Sequence, residues 1–381
     1  MLDIRLHTAI DEISATSWNR LCGTDYPFLR HEFLSALERS GSVTPDTGWQ
    51  PLHLTLHENG HCIGAMPLYL KNHSWGEYVF DWSWADAWQR HGLEYYPKLV
   101  TAIPFTPATG PRFGLDPCLD QPRALTAISD ALRQLCERFN ASGWHGLFVE
   151  PTVASELEQQ GLMKRLGCQY HWFNRGYSSF DDYLASFTSR KRKNLRKERE
   201  KVARQGIVLH RIEGHAISDT QLRQFYRFYQ DTYLKHGMKG YLTPAFFTAL
   251  RDTLPSQLLL VLAEQSGETV AGALYLRGSD TLYGRYWGCQ ADYDSLHFEA
   301  CYYQGIEYCI EQGLARFDPG AQGEHKVRRG FEPTETWSCH WIREAAFRPA
   351  IADFLEREQS QVYLQMERLT AELPFRTPAT P

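Results

Sequence analysis

The chain has 381 residues, 43% hydrophobic and 22% charged, with a net charge of −5 at pH 7. That length predicts two domains of about 150–200 residues each, and the balance is that of a folded chain rather than a disordered one. The acidic net charge excludes a general nucleic-acid or DNA binder, so any polyanion site has to be a local patch. No run of about 18 apolar residues is present to span a membrane. The opening segment, with Asp3, Asp11 and Glu12, does not read as a secretory leader. Nine cysteines without a CxxC pair read as reduced thiols of a cytoplasmic protein.

In chain order, Pro51–His57, a turn at Glu58–Gly60 and Cys62–Leu70 predict a β-hairpin. A strand is expected around Tyr78–Phe80, and then the aromatic stretch Phe80–Trp88 as a strand-to-loop exit. The apolar period of Leu125, Ile128, Leu132 and Leu135 predicts a helix over Ala124–Asn140, stopped by Gly143. The strand Gly146–Val149, a short helix at Leu162–Leu166 and a last strand at Gln169–Trp172 complete a first copy. A strand at Ile207–Ile212 opens a second copy, in which helices at Asp219–His236 and Thr243–Thr253 come before the hairpin. It has a hairpin Leu258–Ala263 and Val270–Leu276, a strand at Thr281–Tyr283, a helix His297–Gln312 stopped by Gly313, and a strand Ala315–Phe317. A short helix His325–Arg329 and a strand Thr336–Trp341 close it. The repeat predicts an α/β (α+β) fold of two domains with mixed sheets, 1–175 and 176–346, followed by a C-terminal helix and tail, 347–381, frayed from Pro374.

This element order resembles two tandem GNAT domains. In that fold two central strands splay, and CoA-using members seat a pyrophosphate on bare N–H groups at the next helix start. Their Arg/Gln-x-x-Gly-x-Gly/Ala loop is missing from both copies. The corresponding stretch Gly288–Glu299 carries Asp292, Asp294 and Glu299, which repel a diphosphate. Five motifs, Pro104–Gly110, Arg192–Arg199, Tyr283–Gly288, His297–Gln304 and Pro319–Lys326, resemble a bacterial family of FemAB-like N-acyltransferases. That family is similar to the Fem peptidoglycan aminoacyltransferases. The resemblance implies transfer of an acyl or aminoacyl group to a small, lipid-linked or sugar-linked amine. It implies aminoacyl-tRNA as donor in preference to acyl-CoA and adds no certain cofactor. Two other readings stand beside it: a non-catalytic binder of a polyanion such as tRNA, and an acetyl-CoA-dependent acetyltransferase.

The candidate catalytic residues are His297, Glu299 and Lys326, expected in one cleft, with Lys326 offsetting Glu299. A His or Glu there takes the proton of an attacking amine, and Lys326 holds an anion or a developing oxyanion. Arg285, Tyr302, Gln304, Gln322, Glu324 and His325 join them as binding candidates. Arg190–Arg204, with nine Lys/Arg and two Glu, is either a solvated helix face or a phosphate track through Arg192, Asn194 and Arg196. Trp84, Lys98 and Arg112 are candidates for a substrate wall in the first copy. His53 and His57 lack a third ligand, so no metal is expected.

Overall fold

The computed structural model describes residues 2–235, 237–321 and 323–376. It divides into two compact units, residues 1–168 with 335–363 and residues 169–334 with 364–381.

The first unit holds an antiparallel sheet of Asp3–His7, His53–Glu58, His61–Met66 and Gly114–Leu115. Asn59 and Gly60, both at positive φ, make the tight turn that suits a right-twisted hairpin. The predicted second strand of this hairpin stops at Met66, because Pro67 has no N–H to give the ladder. Tyr69–Lys71 pairs instead with Trp49–Pro51 and Lys98–Thr101. Lys98–Thr101 then runs parallel to Gly143–Val149, and the helix Gln121–Arg138 packs Leu125, Ile128 and Leu132 into the core beside Leu99 and Trp144.

Four local expectations need correction here. Tyr78–Phe80 forms no strand, since Tyr78 sits at φ 62°. Trp82–Arg90 is a helix rather than a loop exit, with Trp84 and Trp88 one turn apart on its buried face. Met163–Leu166 of the expected short helix opens the strand Met163–Phe173 instead, and the helix comes earlier, at Pro151–Gln159, with Pro151 at its first position. Asn140, at φ 51°, stops the helix before Gly143, which lies in a strand.

The second unit orders its strands Ile207–Glu213, Leu258–Gln265, Glu268–Arg277, Thr281–Cys289, Arg316–Asp318 and then residues 169–173. The predicted last strands trade places. Trp172 and Phe173 pair with Phe317 and Arg316, while Trp337–Ile342 pairs with Gly143–Val149 of the first unit. The helix Asp219–Leu234 lies so close on Thr281–Cys289 that a Cβ on Gly288 would stand 2.0 Å from the Phe228 carbonyl oxygen. Gly305 likewise lets the next helix rest on Phe317, whose ring a Cβ would meet at 2.6 Å.

Thr281–Cys289 and Arg316–Asp318 are parallel and share only three paired positions, Thr281 to Tyr283. Beyond Tyr283 the long strand continues alone on that side. This is the splay expected of a GNAT domain, and it opens a cleft.

Candidate active site

The cleft has a volume of about 590 Å³ and lies wholly in the second unit. Gly284–Trp287 of the long strand forms one wall, His297, Cys301 and Tyr302 form another, and the loop from Pro319 to Lys326 closes it. The helix after the long strand begins at Leu296 and contains a π-turn, in which the Gln304 N–H bonds back to the Glu299 carbonyl. Single π-turns recur at functional sites. Here the wider spacing makes residues five apart into neighbours. His297 meets Tyr302 with ring centroids 5.2 Å apart, and the Gln304 amide donates to Glu299 at 2.8 Å. The first pair faces the cleft and the second faces away from it.

The structure therefore brings His297 and Lys326 into one cleft and leaves Glu299 out. Two residues apart on a helix, His297 and Glu299 stand on nearly opposite sides of its axis. Glu299 is buried against Arg199 of the basic helix, accepting from Nε at 3.0 Å and Nη2 at 2.9 Å. Lys326 does not pair with Glu299. Its ammonium, 2% exposed, donates to the carbonyls of Gly320 at 2.7 Å and Ala321 at 3.4 Å. Burial pushes its pKa down to about 8, against the pull of Asp318. Burial, with the charges of Lys326 and Arg329 and the neighbouring His325, pushes His297 down to about 4. His325 stands more exposed, at 2.9 Å from the Tyr302 hydroxyl, and is lowered mainly by desolvation.

Arg285 also lines the cleft, held by Asp318 through Nη2 at 2.8 Å. Burial raises the Asp318 carboxyl, and Arg285, with His171 and two hydrogen bonds, more than reverses this and leaves it below the usual range. Asp318, His171 and Cys301 were missed by sequence reasoning. Asp318 directly precedes the Pro319–Lys326 motif, which was a usable signal. His171 carried none, because its strand was assigned to the other copy. Cys301 is a thiol raised by burial, which makes it a poor nucleophile.

The remaining candidates lie elsewhere. Gln304 is spent on Glu299 and Glu307, and Glu324 is exposed and accepts from Gln365. Gln322 lies outside the described residues. Arg192, Asn194 and Arg196 sit on the helix Ser189–Arg204, and none lines the cleft; Arg196 pairs with Asp181 at 3.1 Å. In the first unit Trp84 is no pocket wall. It is 4% exposed and packs edge-on to His340. Lys98 is fully buried between Glu77, at 2.8 Å, Asp81 and Ser74. Arg112 is buried and committed to the carbonyls of Ala108, Gly110, Pro111 and Leu147. For Lys98 and Arg112 these partners meet the need of a buried charge to be paired or hydrogen-bonded. His53 bonds Glu38 at 2.7 Å and His57 bonds Thr55 at 3.0 Å. No cluster of three or more metal-ligating side chains occurs among the described residues.

At the start of the cleft helix several N–H groups are already taken. The N–H groups of Phe298 and Glu299 both bond the Ser295 carbonyl, and the Asp294 N–H bonds Gln205. On the basic helix, Arg199 and Glu198 turn inward, Lys201 pairs with Asp294 and Arg204 with Glu200. Arg196 apart, the rest of its positive charge is Arg190, Lys191, Arg192, Lys193 and Lys197, four of the five in the first half.

Among solved structures, FemX aligns over 91% of this chain and 99% of its own, at 14% identity and a TM-score of 0.55. The C-terminal domain of a putative lysylphosphatidylglycerol synthetase from Agrobacterium fabrum aligns over 91% and 95%, at 10% identity and a TM-score of 0.52. A conserved protein of unknown function from Bacteroides thetaiotaomicron aligns over 89% and 99%, at 10% identity and a TM-score of 0.51. These likenesses concern the fold, which is that of two tandem GNAT-type α/β units. No curated protein matches the sequence. No helix among the described residues is long and apolar enough to cross a membrane. The family model FemAB_like, described as peptidoglycan biosynthesis/recognition, matches residues 9–377, and the chain belongs to that family.

Proposed function

We propose that this chain is an acyltransferase that moves an acyl or aminoacyl group from an ester donor to an amine in the cleft of the second unit. The observation that carries the reading is the meeting of Lys326, His297, His325 and Tyr302 on one space where two parallel strands part. Attack of a neutral amine on the donor carbonyl forms a C–N bond and places negative charge on the carbonyl oxygen. The Lys326 ammonium has three N–H donors, two of them turned to Gly320 and Ala321, and the third serves that oxygen. The amine must then lose a proton. His325 is the better acceptor, since His297 is held neutral far below neutral pH. The C–O bond breaks, and the proton passes to the leaving oxygen, so the step needs no covalent enzyme intermediate.

An aminoacyl-tRNA donor fits the cations of the basic helix better than acyl-CoA fits the acidic Asp292–Asp294 loop. The family description favours the amine of a peptidoglycan precursor as acceptor. The same cations favour a second reading, a binder of polyanions without turnover. Radiolabelled aminoacyl-tRNA incubated with the full chain and amine-bearing precursor peptides separates the two. Transfer predicts label in an alkali-stable amide. Label bound but released only as free amino acid supports the binder.

A further inference from the structure

The turn Glu324–Arg329 carries His325 and Lys326 and ends on Arg329, which is 6% exposed. The Arg329 guanidinium forks onto Glu198 of the basic helix, Nε to Oε2 at 3.2 Å and Nη2 to Oε1 at 2.8 Å. Its remaining edge donates from Nη1 to the His325 carbonyl at 2.8 Å. The guanidinium carbon lies 3.4 Å from the centroid of the Phe298 ring, and the buried Tyr303 hydroxyl bridges it to Glu198. One carboxylate on an outer helix therefore fixes the main chain of a residue at the cleft mouth. Planar forks of this kind hold direction as well as charge, which a lysine does not.

Resting on the reading of this cleft as the transfer site, we propose that Glu198 and Arg329 are positioning residues that hold the His325–Lys326 segment against the cleft from the basic helix. Neither touches the cleft space, so each acts through His325 and Lys326. The pair has a second consequence. His325 faces the Tyr302 hydroxyl, the His297 ring, Lys326 and Arg329. Of these, Arg329 and Lys326 disfavour its protonation, and Glu198 offsets the Arg329 charge. Loss of the Glu198 carboxylate is therefore expected to lower the His325 pKa further without any contact being broken at the ring.

Ring titration of His325 by NMR in the full chain tests this and needs no substrate, so it succeeds or fails independently of the transfer reaction. E198Q is expected to move the His325 midpoint down and R329M to move it up. R329K, which keeps the charge but not the fork, is expected to leave the midpoint in place while raising acetic-anhydride labelling of Lys326. An unmoved midpoint in both single variants, or wild-type labelling of Lys326 in R329K, overturns the proposal.

Discussion

At the scale of single residues, Lys326 is the most informative group because its charge is supported by carbonyl dipoles and the more distant Asp318. Its pKa is lowered to about 8, so the ammonium is present below that pH and lost above it. If the ammonium stabilises an oxyanion, kcat/KM falls as pH rises through about 8. Lys326→Arg, whose guanidinium does not titrate in this range, should abolish that decline, and a decline with an unchanged midpoint would assign it to another group. Cys301 gives the complementary test. With its thiol raised by burial, Cys301→Ser should retain turnover, whereas its loss would point to a covalent step. The meeting of Lys326 and His297 in one cleft was legible from residue type and the Pro319–Lys326 motif. The burial of Lys98 and Arg112 was not. Their partners, Asp81 for Lys98 and the Leu147 carbonyl for Arg112, stand 17 and 35 residues away in sequence, and nothing local marks them.

At the scale of elements, the π-turn at Glu299–Tyr303 decides what the cleft helix presents. Its apolar period revealed the helix but not the extra residue in the turn, and so not the sorting of Glu299 away from His297. Arg199 is the matching feature of the basic helix, bound in two forks to Glu299 and Glu307. The sequence shows it only as one cation among nine. Arg199→Met strands a buried carboxylate beside a half-buried one and should cost roughly 3 kcal/mol, the scale for breaking a buried ion pair. Urea unfolding measures this, and a loss within about 0.5 kcal/mol, typical of a surface substitution, would contradict it. Replacing Arg192, Lys193, Arg196 and Lys197 with Ser should instead leave stability nearly unchanged while weakening tRNA binding and flattening its salt dependence. An unchanged salt slope would make this helix half a solvated face. At the other end of the cleft helix, Asp292 and Asp294 stand before the first turn where CoA users carry a Gly-rich loop, so calorimetry should show no tight, saturable acetyl-CoA binding.

At the scale of the whole molecule, the repeat of hairpin, strand, helix and strand was legible because each copy buries one face of a sheet under an amphipathic helix. The trade of last strands was not, since the strands Met163–Phe173 and Glu332–Ile342 are equally apolar whichever sheet they join. The two units also use their parallel strand pairs differently. Beside Lys98–Thr101 and Gly143–Val149, the first unit is filled by Lys98, Glu77, Asp81 and Tyr95. Beside Thr281–Cys289 and Arg316–Asp318, the second keeps an open cleft. The account therefore assigns chemistry to the second unit alone. Its most direct test measures amide formation from aminoacyl-tRNA and a precursor amine by wild type, Lys326→Met and a folded Lys98→Arg variant side by side. The account predicts amide product from wild type and Lys98→Arg, and its loss in Lys326→Met with tRNA binding intact. Full amide formation by a well-folded Lys326→Met variant would contradict it.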